Sequence, residues 1–384
     1  MTTDLVFTNA RIVLEREVLH GSLLVRDGRI ADISAGPSER GIDLEGDILM
    51  PGGVELHTDH VEHHLRPRPG VHWEALPALL AHDAQMTAAG TTTVLDAIRL
   101  GSEPSNRESL ARTARELANA ITTASSAGLL RADHAIHLRC EVSAEDCSDR
   151  VEEFASHKDV RVISLMDHTP GQRQFEDVAE FRKYYLGKGI VGEGEIDAYI
   201  AGMIEQAALH SYRNRKNAAG IAAVRGITLA AHDDSTREQV EESAAFGVKI
   251  AEFPTTVAAA EASLEHGMLT VMGAPNIVRG GSQSGNVAAA ELLKRGLLHI
   301  LSSDYVPFSP LQAVFKLVAA GSITLSQGAM LFSGNAAAAI GLDDRGRIEA
   351  GTRADVIRVR DHRFDGGASV PVVRSVYREG VRVA

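Results

Sequence analysis

The chain reads as an α/β fold, a (β/α)8 TIM-like barrel carrying a small β domain built from both of its ends. Three observations predict this. Between residues 51 and 344, short apolar segments alternate with helical stretches, and eight such segments can be counted. Residues 1–50 and 345–384 instead read as short strands joined by turns. Finally, side chains of the kind that bind metals gather where the barrel segments end, which is where a barrel of this type places its chemistry.

With 384 residues, 44% of them hydrophobic and 23% charged, the chain can bury a large core and does not have the composition of a disordered protein. Its formal charge of -12 argues against nucleic-acid or anionic-membrane partners. A local basic cluster inside such a protein can still take a small anionic substrate. No apolar run reaches the length needed to cross a bilayer. Two cysteines, Cys140 and Cys147, and an N-terminus without signal-like character fit a reducing cytoplasm and no disulfide framework.

The elements follow in order. LVFTNARIVL, GSLLVRDGRIADIS and GIDLEGDILM read as strands, the second with an Asp27-Gly28 hairpin signal. Barrel strands are expected at 53–58, 91–98, 134–142, 160–168, 226–234, 248–254, 269–275 and 297–304. Intervening stretches such as ALPALLAHDAQMTAAG and ESLARTARELANAITTA have the apolar spacing and alanine-rich faces of helices. A charged insert at about 169–222 is expected to form helices over one mouth of the barrel. Residues 1–50 and 345–384 would then pair as one small β-sandwich domain, with the barrel of 51–344 between them.

The most telling stretch is MPGGVELHTDHVEHHLRPR, from Met50 to Arg68. Strand alternation predicts Val54, Leu56 and Thr58 on one face and Glu55, His57 and Asp59 on the other, so that His57 and Asp59 lean together from the strand's end. Imidazole and carboxylate are the ligands zinc, manganese and iron accept in hydrolytic sites. His60, His63 and His64 follow, giving four histidines in eight residues of a chain that holds 16. A solvated polar loop would explain this stretch alone. It does not explain the recurrence of such residues elsewhere: Glu141 ends the third strand, His168 the fourth, His232 the fifth, Glu252 the sixth and Asp304 the eighth. One such residue is commonly structural; six strand ends of one barrel carrying them point to a site.

These residues resemble the amidohydrolase superfamily. Its apolar-Pro-Gly-x-x-(Asp/Glu)-x-His opening is matched by Met50 to His57, its terminal-strand aspartate by Asp304 in LSSDY, and its C-terminal signature by Gly346, Ile348, Gly351, Ala354 and Asp355. VELHTDHVEHHLRPRPGVHW, SLMDHTPGQRQF, AHDDST, VMGAPNIVRGGSQSGN and LSSDY further resemble the phosphonate-metabolism diphosphatases of the carbon-phosphorus lyase pathway. That resemblance implies hydrolysis of α-D-ribose 1-methylphosphonate 5-triphosphate to pyrophosphate and the 5-phosphate. It also implies two divalent ions, zinc first with manganese or iron as alternatives, and a homodimer.

Within this reading His57 and Asp59 hold one ion and His168 and His232 the other. Glu141 bridges them where the superfamily commonly has a carboxylated lysine, and Asp304 is both ligand and proton carrier. Two departures stand out. His57-Thr58-Asp59 replaces the superfamily's His-x-His, which leaves Asp59 or His60 as the second ligand of that pair. The ligands on the fourth and fifth strands, with Glu252 on the sixth, are also shifted by one strand from the usual pattern. Arg66, Arg68, Arg139, Arg173 and Arg279 are the candidate phosphate ligands. Gly280 and Gly281 would let backbone amides approach the substrate. Lys183 and Lys188 in the insert read most simply as a solvated face, with a lid contacting phosphates as the alternative, and Asp96, His82 and His134 read as structural. The rival readings are hydrolysis of a C-N bond on the same metals, which would need fewer arginines, and a non-catalytic subunit of a phosphonate-processing assembly.

Overall fold

The computed structural model describes residues 4–101, 107–282, 285–364 and 369–384. β1 (Leu5–Val13), β2 (Val18–Arg26) and β3 (Arg29–Ala35) form an antiparallel meander, with β4 (Ile42–Asp43) and β5 (Ile48–Pro51) parallel to β1. The Asp27-Gly28 turn has positive φ at both residues, 50° and 75°, as the tight hairpin turn it signals requires.

The barrel strands come next: β6 (Gly53–Thr58), β7 (Thr91–Leu100), β8 (Asp133–Glu141), β9 (Val160–Met166), β10 (Thr228–His232), β11 (Ile250–Glu252), β12 (Leu269–Gly273) and β13 (Ile300–Ser302). They pair in parallel and in sequence order, and a bridge between Thr58 and Asp304 joins the last to the first. The expected strand count therefore stands, and His168, His232 and Glu252 do follow or end the fourth, fifth and sixth strands. β14 (Val356–Arg363), β15 (Ser369–Arg378) and β16 (Val381–Arg382) return to the outer sheet, whose order is β16-β15-β14-β5-β1-β2-β3.

The closure is polar. Glu55, buried in the first strand, accepts from the Ser302 hydroxyl at 2.8 Å and from the Ser303 amide at 2.6 Å. Burial raises its carboxyl to about 6. Ser302 Oγ also donates to the His57 carbonyl at 2.5 Å, so β13 is stitched to β6 where the ladder is short.

Val54, Leu56, Leu95, Val162, Ala230, Ile250, Val271 and Ile300 form one cluster with residues from seven barrel strands, which only the lumen can bring together. Leu56 is therefore inside, although His57 beside it also reaches the lumen. Strict alternation on this strand fails because the register slips between Gly53 and Val54 and again between Glu55 and Thr58.

Gly52 and Gly53 are explained by space. A Cβ on Gly52 would lie 2.3 Å from Thr92 Oγ1, and one on Gly53 would lie 2.5 Å from Phe332 Cζ. Gly53→Ala is expected to cost about 1–3 kcal/mol through overpacking. Urea unfolding checks this, and an unchanged midpoint would mean that the Phe332 ring swings aside freely.

The insert supplies a 3-10 turn (Arg173–Phe175), a helix at Val178–Gly187 and a 30-residue helix at Ile196–Arg225. Phe175, Phe181, Ile196 and Ile200 give this region its own small core. The later part of the long helix packs Ala218, Ala219 and Ala222 on the barrel.

Candidate active site

A cavity of about 530 Å³ opens at the C-terminal end of the barrel strands. Its lining includes His57 and Asp59 from the first strand, Arg139 from the third, His168 and His232 from the fourth and fifth, and Asp304 from the eighth. Backbone strain collects here. Asp233, Phe253 and Asp304, just after β10, β11 and β13, all have φ between 54° and 59°. Non-glycine residues in that region cost on the order of 1–3 kcal/mol each, and such strain is typical of functional sites. The Asp233 amide donates to the Glu252 carbonyl and the Phe253 amide to the Val271 carbonyl, both at 2.9 Å, which fixes these turns.

The three histidines form a row, with ring centroids 5.4 Å apart for His57 and His232 and 6.1 Å for His168 and His232. Carboxylates hold them from behind. His57 Nδ1 lies 2.9 Å from Glu252 Oε1, and His232 Nδ1 lies 3.5 Å from Glu252 Oε2. His168 Nδ1 lies 2.5 Å from Glu141 Oε2. A carboxylate on Nδ1 fixes the tautomer and leaves Nε2 as the basic nitrogen, the usual support behind a metal-binding histidine.

The electrostatics agree. Burial lowers His57 to about 3, so its ring is neutral. Burial alone would raise Glu141, but His168 and then Arg99 hold it down at about 2. Burial, reinforced by the neighbouring Asp59 charge, pushes Asp304 up to about 7.

The residues present fit a divalent metal. His168, His232 and Asp233 place one ligand atom each within 4.8 Å of one another, as do His57, His232 and Glu252. The buried Asp233 Oδ2, 3.3 Å from His232 Nε2, makes no hydrogen bond among the described residues.

Several expectations are displaced. Glu141 sits behind His168, accepting its ring and its amide as well as the Ser143 hydroxyl, and does not line the cavity. In this arrangement its carboxylate faces His168 and not the cavity. Glu252 likewise lies under His57 and His232. His60 turns away from the mouth towards His82.

Among the arginines, Arg139 and Arg279 line the cavity. Arg66 and Arg68 line a separate groove with His72 and Arg112. Arg173 is buried, its guanidinium paired with Asp234 and, at 3.5 Å, with Glu242, so it is spent inside the protein. Asp234 thereby belongs to Arg173, leaving Asp233 as the carboxylate beside His232. Gly281 reaches the cavity, but the Gly280 and Gly281 amides both donate to the Asn276 carbonyl at the end of the Ala274–Arg279 helix. They are not open to a phosphate.

One cation was missed, and a second was named with its rim position only as the alternative reading. Arg99 lines the cavity because β7 continues to Leu100 and stops only at Gly101, whose φ is 82°. That glycine was the available signal. Lys188, read as a solvated face or a lid contact, reaches the rim, where its Nζ donates to Tyr184 Oη at 2.5 Å and lies 4.4 Å from that ring's centroid.

The amidohydrolase family profile matches residues 191–384. The α-D-ribose 1-methylphosphonate 5-triphosphate diphosphatase of Escherichia coli K12 is 43% identical over 383 residues, covering 99% of this chain and 100% of the relative. A D-hydantoinase of Rhizobium radiobacter is 34% identical over 113 residues, 28% of this chain and 23% of that protein. Among solved structures, N-acetylglucosamine-6-phosphate deacetylase from Pasteurella multocida aligns with a TM-score of 0.63 at 14% identity over 98% of this chain and 99% of that one. A D-hydantoinase aligns at 0.59 and 16% identity over 99% and 95%. Among the described residues no helix is long and apolar enough to cross a membrane. This chain belongs to the amidohydrolase family and is a hydrolase.

Proposed function

We propose that this protein hydrolyses α-D-ribose 1-methylphosphonate 5-triphosphate, releasing pyrophosphate and leaving the 5-phosphate. The observation that carries the reading is the pairing, in one cavity, of a histidine and aspartate donor set with Arg99, Arg139, Lys188 and Arg279. A neutral cyclic amide has no use for those cations, whereas a triphosphate needs its charge offset as the transition state forms. The relative of matching length bears that substrate in its name.

His57, Asp59, His168, His232 and Asp304 would hold divalent ions, with Asp233 beside them; zinc suits the imidazoles and manganese or iron the carboxylates. When bound, such ions acidify water and draw charge from phosphoryl oxygens. The chain's own residues do the rest. Arg139 is anchored by its Nη1, 3.1 Å from Asp59 Oδ2, and by its Nε, which donates to Met166 Sδ at 3.3 Å, and it lines the cavity with its other guanidinium nitrogen. The Asp304 carboxylate takes the proton of the attacking water and returns it to the pyrophosphate oxygen that leaves. Phe253 packs on His57 and His232, each with a ring-centroid separation of 5.1 Å, and keeps that side of the site dry.

The test is pyrophosphate release by purified, metal-replete protein, with ATP and an N-acetyl sugar as comparisons. Release from the ribose phosphonate triphosphate well above that from ATP is expected. None, with metal bound, would overturn the reading. A smaller effect is expected at the rim: Lys188→Ala should cost about 1 kcal/mol of binding, roughly fivefold in KM, with kcat little changed. An unchanged KM would show that Lys188 serves only Tyr184.

A further inference from the structure

We infer that His60, His64 and His82 form a second divalent-metal site of the zinc type, separate from the barrel-mouth cavity. Each offers a nitrogen within 4.8 Å of the other two, and none of the three lines that cavity. His60 precedes the short Val61–Leu65 helix and His64 lies in it, so their spacing of four residues puts both rings on one side of a single turn. His82 faces them from the Ala75–Ala88 helix and is fully buried.

The distances match the chemistry. His60 Nδ1 and His82 Nδ1 are 3.4 Å apart. Two nitrogens about 2.0–2.1 Å from one tetrahedral zinc are separated by about 3.3–3.4 Å.

The outer nitrogens of two of the rings are also backed by oxygen acceptors. His64 Nε2 is hydrogen-bonded to Gln85 Oε1 at 3.2 Å, while His82 Nε2 lies 3.0 Å from Asp96 Oδ1 in a charge contact that lacks hydrogen-bond geometry. A proton on His82 Nε2, facing the Asp96 carboxylate, would leave its Nδ1 as the base that faces His60 Nδ1, in the manner of a carboxylate placed behind a metal-binding histidine. Behind His82 the chain continues: Asp96 Oδ2 is 2.7 Å from His134 Nδ1, and His134 Nε2 is 3.3 Å from Asp83 Oδ1. Asp83 in turn accepts the Arg131 and Ala132 amides at 3.0 Å and 2.9 Å. Asp96, hydrogen-bonded to His134, thus stands as a buried carboxylate beside the one ligand that is wholly buried. A metal here would clamp the loop after the first strand onto the following helix, and so steady the base from which His57 and Asp59 project.

The test is a metal count on the full-length protein. The chain is stripped with a chelator, reloaded with zinc or cobalt(II), freed of excess, and its metal-to-protein ratio measured for wild type, His64→Gln and His82→Asn. The expected result is one equivalent fewer in each variant, with loss of one tetrahedral component of the visible cobalt spectrum. His64 is half-exposed on a short helix, so His64→Gln should fold even if His82→Asn does not. A wild-type ratio and spectrum in His64→Gln would overturn the proposal and leave three histidines that merely hydrogen-bond one another. The count needs no substrate, so its outcome is independent of whether pyrophosphate is released.

Discussion

Asp304→Asn is expected to lower turnover by about 10²–10⁴-fold, the range associated with removing a positioned proton carrier. Its fold should survive, because the interactions that place Asp304 are made by main chain and neighbours. Its carbonyl accepts from the Asp59 amide and from Thr58 Oγ1, both at 3.3 Å, and its amide donates to Ser302 Oγ at 3.2 Å. Those contacts hold the φ of 55° that aims the side chain into the cavity. Asparagine tolerates this backbone region well and has nearly the same shape, so what is removed is the capacity to take up a proton. Parallel measurement of kcat and metal content separates the two ways the variant can fail. Full turnover with metal retained would sink the role given to Asp304. Lost turnover with lost metal would make it chiefly a ligand.

Much of the architecture was legible because barrel strands announce themselves. Runs such as TTTVLDAI and VRVISLM are bounded by turns and helices, and the chain needed eight of them. The metal-type side chains were legible for the same reason, since each sits at a strand end whatever the details of packing. What a linear sequence does not carry is which neighbour a strand-end side chain turns to. Glu141 and His168 come from different strands, and only their meeting at 2.5 Å shows that the carboxylate supports the imidazole. Arg173 looked like a phosphate ligand in TPGQRQF, but its partners Asp234 and Glu242 lie more than sixty residues away in sequence. Register was the other loss. One slip within β6 is enough to bring Leu56 and His57 to the same interior, which period-two reasoning forbids. His82, Asp96 and His134 were set aside because each is ordinary alone, and their meaning lies in a contact path that joins three separate segments.

Glu252→Ala is expected to destabilise the protein by about 3–5 kcal/mol, as when one partner of a buried charged cluster is removed. Glu252 is only 1% exposed, and four groups converge on it. Its Oε1 is 2.9 Å from His57 Nδ1, while its Oε2 is 2.5 Å from Ser164 Oγ, 3.5 Å from His232 Nδ1 and 3.7 Å from His137 Nε2. Burial opposes its charge, but His137, His57 and His232 together hold the carboxyl well below the usual range. Because its folded value is depressed, this stability is present above the unfolded carboxyl value and is lost as pH falls towards the folded one. His57, lowered to about 3 by burial, acts in the same direction: it stays neutral in the fold while the unfolded chain takes up protons below its ordinary value of 6.5. Wild type should therefore lose stability on acidification, and Glu252→Ala should lose less over that interval because its carboxylate contribution is already gone. Glu252→Gln preserves the shape but sets an amide where an acceptor is needed. It should fold with a smaller loss, about 1–3 kcal/mol, and bind metal roughly 10- to 100-fold more weakly, as other losses behind a ligand do. Urea unfolding at two pH values and metal titration of both variants give these quantities. Wild-type stability in Glu252→Ala would mean that the three histidines are held by their packing and that the carboxylate beneath them is dispensable.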